Sequence, residues 1–96
     1  MTWLITWYCL CLLCCGKTPR HPAYGVTRSG VRAEAGITAA CDRKLLGRAI
    51  WIEGLGVRIC DDTGRLVRGR HIDVYVRSHA EGVRRGRQKR EVRVLP

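Results

Sequence analysis

The chain has 96 residues, with 18 Lys and Arg against 8 Asp and Glu for a formal charge of +10, and six cysteines. That length fits a single domain over residues 1–96 with a modest core and leaves no room for a second. The charge predicts attraction to polyanions without saying which, while three Trp, three Tyr and no Phe leave few platforms for base stacking, so a nucleic-acid partner is not expected.

Thr2 to Tyr8 reads as a buried strand rich in Trp, Ile, Thr and Tyr. The apolar run from Trp3 to Cys15 competes as the hydrophobic part of an export signal. No Lys or Arg precedes it and no small-residue cleavage site follows it. The run is also too short to span a bilayer, so no transmembrane segment is expected. Gly16 to Pro22 carries two prolines and reads as a loop. Gly25 to Gly36 reads as an irregular segment with short extended pieces.

Short strand-like runs follow. They are Ile37 to Cys41, Arg48 to Glu53, a turn at Gly54-Leu55-Gly56, and Val57 to Cys60. His71 to Val76 alternates with period two and is the clearest strand. Ser78 to Gly82 suits a short helical turn, and Glu91 to Leu95 alternates again. The basic run Arg84 to Arg90 reads as a solvated loop, or as a patch that holds a polyanion. Many short strands joined by Gly-rich turns predict an all-β barrel or sandwich.

Three segments stand out together. The first is Gly36-Ile37-Thr38-Ala39-Ala40-Cys41-Asp42, followed by Leu45-Leu46-Gly47 and Ile50-Trp51-Ile52-Glu53-Gly54. The second is Asp62-Thr63-Gly64, and the third is Gly69-Arg70-His71-Ile72-Asp73-Val74-Tyr75. In this order and spacing they resemble the 3D domain, a family named for three aspartates, which fall here at Asp42, Asp62 and Asp73. The opening strand with Cys14-Cys15-Gly16, the Gly25 to Gly30 segment, Gly86 and the last strand extend the resemblance over nearly the whole chain. The prolines usual in the loop after the first Asp are absent, with Arg43 and Leu45 near their places, and Arg85 replaces a Trp often seen before the late Gly.

The resemblance implies a six-stranded double-psi β-barrel with short helical turns, shared with MltA-type lytic transglycosylases, RlpA-like proteins, barwin and expansin-like domains. It also implies action on peptidoglycan glycan strands, with other polyanionic wall polymers as further partners. Fold alone does not separate cutting from binding.

Cleaving a glycosidic bond requires an acid that protonates the leaving oxygen as an oxocarbenium-like state forms. A lytic transglycosylase works with one carboxyl, because the C6 hydroxyl of the sugar replaces water. Like charges and desolvation keep such a carboxyl protonated near neutral pH. Asp62, directly after a strand and in a tight turn, is the favoured acid/base, with Asp42 and Asp73 tuning it and orienting the sugar. Arg28 and Arg32 are the candidate substrate-binding cations. Taken alone, Asp62 also fits a plain turn residue. Asp73 is harder to dismiss, because Asp is depleted in strands. Asp61 reads as a solvated bystander, His71 and His79 as surface or satisfied histidines, and His21 as loop.

Cys9, Cys11, Cys14 and Cys15 lie close enough to wrap a structural Zn²⁺, but no second Cys pair or His pair completes a standard finger. No cofactor is otherwise expected. Disulfides and reduced core thiols compete with that reading, and Cys41 and Cys60 can pair if their strands are adjacent. Two other functions compete: a non-catalytic wall-polysaccharide binder on the same barrel, and a small basic nucleic-acid-binding protein. The doubtful export signal suits a bacteriophage product that reaches the wall through a separate pore.

Overall fold

The computed structural model describes residues 1–10, 20 and 24–96. The expected loop at Gly16 to Pro22, His21 and three of the four candidate zinc ligands (Cys11, Cys14 and Cys15) fall wholly or mostly outside those residues.

Six strands form the fold: β1 (Thr2–Tyr8), β2 (Thr38–Ala40), β3 (Ala49–Ile52), β4 (Gly56–Asp62), β5 (His71–Tyr75) and β6 (Gln88–Val94). They close into a barrel in the order β1-β5-β2-β4-β3-β6, with β6 returning to β1 antiparallel. Closure leaves these six strands without an open edge for a second chain to extend. Two pairs are parallel, β1 with β5 and β2 with β4. The expected all-β, six-stranded barrel is therefore present.

Alternation decides which face goes inside. In β3, Ile50 and Ile52 are fully buried, and in β5 so are Ile72 and Val74. They meet Ile5, Ala39, Val92 and the Cys41–Cys60 pair in one core, flanked by Trp3 and Trp7. Residues between them, His71, Asp73 and Tyr75, take the outer face at partial burial. Cys41 and Cys60 form a disulfide with a Cα–Cα distance of 5.6 Å, which resolves the alternatives left open for that pair.

The short helical turn expected at Ser78 to Gly82 is a longer helix, α1 (His79–Arg85). Ser78 caps it by accepting a hydrogen bond from the Glu81 N–H at 3.1 Å. Gly82 lies inside the helix because α1 packs closely on β1 there. A Cβ at Gly82 would stand 3.3 Å from that of Trp7. The basic run is accordingly not a loop. Arg84 and Arg85 end α1, and residues 88–90 begin β6. Arg85 places its guanidinium 4.9 Å from the centre of the Trp7 ring and also pairs with Glu81.

Candidate active site

The three aspartates converge on the end of β2. Ala40 is paired with Asp73 of β5 on one side and with Asp62 of β4 on the other. Two interstrand spacings separate those residues, about 10 Å between backbones. Asp42 follows Ala40 by two positions, so all three surround one strand terminus.

A bulge brings Asp62 into place. Ala39 pairs with Cys60 and Ala40 with Asp62, which leaves Asp61 as the extra residue. Strict alternation from the buried Cys60 would turn Asp62 toward the core. The inserted residue turns it outward instead. Asp61, read from sequence as a bystander, is the residue that makes this shift. Its carbonyl also accepts the Ser29 N–H at 3.0 Å.

Each carboxyl has different partners. Asp42 Oδ1 accepts the Lys44 N–H at 2.9 Å and Oδ2 accepts the Gly69 N–H at 2.7 Å. Asp42 thus caps the 3-10 turn Arg43–Leu45 and ties it to the loop before β5. Gly69 presents its N–H from φ +62°, a conformation that favours glycine. Those two N–H groups hold the Asp42 carboxyl below its ordinary range. Asp62 Oδ1 accepts the N–H groups of Arg28 and Thr63, both at 2.9 Å, and Oδ2 accepts the Tyr8 hydroxyl at 3.1 Å. Burial pushes the Tyr8 phenol above its ordinary range, and the Asp62 charge adds to that.

Asp73 differs from both. Its only hydrogen bond among the described residues comes from a side chain, the Thr6 hydroxyl, at 2.9 Å to Oδ1. Thr6 stands directly opposite Asp73 on the neighbouring parallel strand. Burial pushes the Asp73 carboxyl up; the Thr6 bond and His71 pull it down, and the Asp62 charge pushes it up again. His71 Nε2 lies 2.8 Å from the same Thr6 hydroxyl, and its Nδ1 lies 3.2 Å from the Leu66 carbonyl. Tyr8 and Tyr75 meet edge to face at 5.5 Å beside the carboxyls.

A cleft of about 490 Å³ opens next to Asp42 and Thr63, lined also by Arg28, Arg43, Arg65 and Arg68. The ion pairs among the described residues, Met1 with Glu91 and Arg85 with Glu81, use none of these arginines. Asp42 itself is engaged by backbone N–H groups. The cleft therefore holds four arginines against the one carboxylate of Asp42, whose charge interacts with Arg68. Arg28 lines it as a sequence candidate, whereas Arg32 does not, and its guanidinium lies beside Gly25.

Sequence reasoning missed Thr6, Tyr8, Tyr75 and the part played by His71. The available signal was the alternation His71-x-Asp73-x-Tyr75, which puts the three side chains on one face. Thr6 and Tyr8 carried no signal of their own. Of the candidate zinc ligands, Cys9 is buried after β1, and no cluster of three or more His, Cys, Asp or Glu suited to a metal occurs among the described residues. No helix among them is long and apolar enough to cross a membrane.

The family model of the 3D domain matches residues 37–95. That span includes all three aspartates and five of the six strands. No curated protein matches the chain.

Proposed function

The chain belongs to the 3D domain family, a double-psi barrel family associated with cell-wall lytic transglycosylase-like proteins, and from that premise we propose that it cleaves peptidoglycan glycan strands with Asp73 as the acid and base. One observation carries the choice of residue. Backbone N–H groups only donate and so favour an acceptor; they meet both oxygens of Asp42, and two of them meet Oδ1 of Asp62 beside the Tyr8 hydroxyl on Oδ2. Asp73 meets no backbone N–H among the described residues, and its partner there is the Thr6 hydroxyl, which can donate or accept. Of the three, Asp73 is thus the one that no N–H group holds as an acceptor, and its burial favours the protonated form.

In the proposed reaction the Asp73 proton passes to the glycosidic oxygen as the C1–O bond breaks and an oxocarbenium-like sugar forms. The C6 hydroxyl of that sugar then bonds to C1 and returns its proton to Asp73. The product is a 1,6-anhydro sugar, with no water consumed. Asp62 supplies nearby negative charge, and its Tyr8 bond holds an aromatic wall beside the reacting ring. Asp42 fixes the loops that shape the cleft.

Two further features support a wall substrate. The arginine-lined cleft suits a strand that carries carboxylates along its length. The Cys41–Cys60 disulfide suits oxidising surroundings, as found outside the cytoplasm. Purified sacculi digested with the protein test the reading. The expected result is 1,6-anhydro muropeptides by mass spectrometry, abolished by Asp73→Asn with the barrel still folded. Binding to sacculi without such products would make the barrel a non-catalytic wall-polysaccharide binder.

A further inference from the structure

We propose that His71, acting through Thr6, decides which oxygen of Asp73 carries its proton, so that the three residues form a relay that presents the acid to the sugar. The inference rests on the reading of Asp73 as the acid. It follows from counting hydrogens along three contacts: His71 Nδ1 to Leu66 O at 3.2 Å, His71 Nε2 to Thr6 Oγ1 at 2.8 Å, and Thr6 Oγ1 to Asp73 Oδ1 at 2.9 Å.

A carbonyl only accepts, so the contact with Leu66 requires hydrogen on Nδ1. Thr6 has one hydroxyl hydrogen and stands between two atoms that each need a bond. Two arrangements satisfy all three contacts. With a neutral imidazole, Nε2 is a lone pair and takes the Thr6 hydrogen. The Thr6 oxygen then offers only lone pairs, so Oδ1 of Asp73 must be the protonated oxygen and points at Thr6. With an imidazolium, Nε2–H donates to Thr6 and Thr6 donates to Oδ1. Oδ1 is then an acceptor, and a proton on Asp73 sits on Oδ2, which meets no protein donor among the described residues.

With a proton on Oδ2 the second arrangement holds one proton more than the first, the one on Nε2. To pass to the first, the Nε2–H bond breaks and its proton leaves to solvent, the Thr6 hydroxyl turns to donate to Nε2, and the carboxyl proton leaves Oδ2 as an O–H bond forms at Oδ1. Only the second arrangement is productive. There Asp73 gives its proton from Oδ2 to the leaving oxygen and regains one from the C6 hydroxyl, while Thr6 keeps Oδ1 occupied throughout. Loss of the extra His71 proton lets the chain reverse and turns the acid's proton toward Thr6. His71 and Thr6 are positioning residues and touch no reacting atom.

Among the described residues, Tyr8 and Thr6 face Asp73 from β1, His71 and Tyr75 from β5, and Asp62 from β4. Ala40 on β2 brings no charge. His71 is joined to Asp73 through the Thr6 hydroxyl, which can donate to either. The rate should therefore fall on the alkaline side with a limb that depends on both residues.

The test measures release of anhydro products from sacculi between about pH 4 and 9, with the full chain and its Thr6→Val, Thr6→Ser, His71→Gln and Asp73→Asn variants. In His71→Gln and Thr6→Val the alkaline limb is expected to move up by at least about half a pH unit, and Thr6→Ser to keep the wild-type limb. Wild-type limbs in both His71→Gln and Thr6→Val, with Asp73→Asn inactive, overturn the relay and leave the acid assignment standing. Full turnover by Asp73→Asn overturns the acid assignment and the relay with it. If Thr6→Val does not fold, the ¹⁵N resonance of His71 Nε2 carries the decision. A changed resonance in Asp73→Asn supports the relay, and an unchanged one overturns it.

Discussion

Asp62 and Asp73 face each other across a single residue, Ala40, which pairs with both. The Asp62 charge therefore acts on Asp73 across one strand and raises its carboxyl on top of the larger effect of burial. Asp73 must be protonated to act, so a raised value extends activity toward neutral pH. Asp73→Asn should lower turnover by roughly 10²- to 10⁴-fold, the usual loss of an acid/base group. Asp62→Asn should leave measurable turnover but move the alkaline limb to lower pH, because Asp73 loses a charge that favours its proton. Rate profiles over pH for the two variants separate these outcomes.

The same burial predicts a stability cost at neutral pH. Asp73 has a folded-state value above its unfolded one, near 4. The folded protein then binds more protons than the unfolded chain between those values, and stability falls as pH rises through that window. Asp73→Asn removes the buried charge while the amide oxygen still accepts the Thr6 hydroxyl. Its melting temperature should exceed wild type at pH 7 and converge with it below about pH 4. Equal melting temperatures at both pH values would count against a desolvated carboxyl.

Asp42 shows the opposite sign. Backbone N–H groups hold its folded value below the unfolded one, so its contribution is present above the unfolded value and is lost as pH falls through the folded one. Asp42→Ala frees the Lys44 and Gly69 N–H groups together. Melting should drop at pH 7, and the difference from wild type should shrink in acid. Turnover should also fall, because the loop beside the arginine cleft loses its tie.

The Cys41–Cys60 bridge closes a segment with a sequence separation of 19 and sits beneath Asp42 and Asp62. Loops of that length contribute about 3 kcal/mol by restricting the unfolded chain. Cys41→Ser with Cys60→Ser, or reduction by dithiothreitol, should lower unfolding stability by about that amount. Chemical denaturation of the oxidised and reduced forms measures it directly.

The strands were legible where one face is apolar and the other is not. Ile72 and Val74 against His71, Asp73 and Tyr75 make β5 visible in the chain itself. The helical turn expected from sequence ends at Gly82, three residues short of the end of α1. In the structure that glycine is needed for contact with Trp7, a tertiary fact with no local trace. The bulge at Asp61 is equally silent, since it depends on how β4 pairs with β2. Thr6 could not be linked to Asp73 or His71, because the parallel pairing of β1 with β5 joins distant ends of the chain. The convergence of the three aspartates came from the family pattern, and the partners that distinguish them came from the fold.

The arginine cleft makes a prediction that does not depend on turnover. Arg28, Arg43, Arg65 and Arg68 line it without an ion-pair partner among the described residues. Gathering like charges in a concavity is unfavourable unless an anion is to be bound there. Exposed charges are screened beyond roughly 8 Å at physiological salt, so binding that uses them must weaken as salt rises. Wall glycan bearing peptide carboxylates should bind more tightly than neutral chitin oligosaccharides. Arg65→Gln with Arg68→Gln should reduce that preference by about tenfold, equivalent to roughly 1.4 kcal/mol, and flatten its salt dependence, while Asp73→Asn leaves both unchanged. Arg65 and Arg68 lie in the loop between β4 and β5 rather than in a strand, so the double variant should melt close to wild type. Equal affinity of the variant for both glycans at every salt concentration supports this use of the cleft, and a wild-type preference retained in the variant removes it.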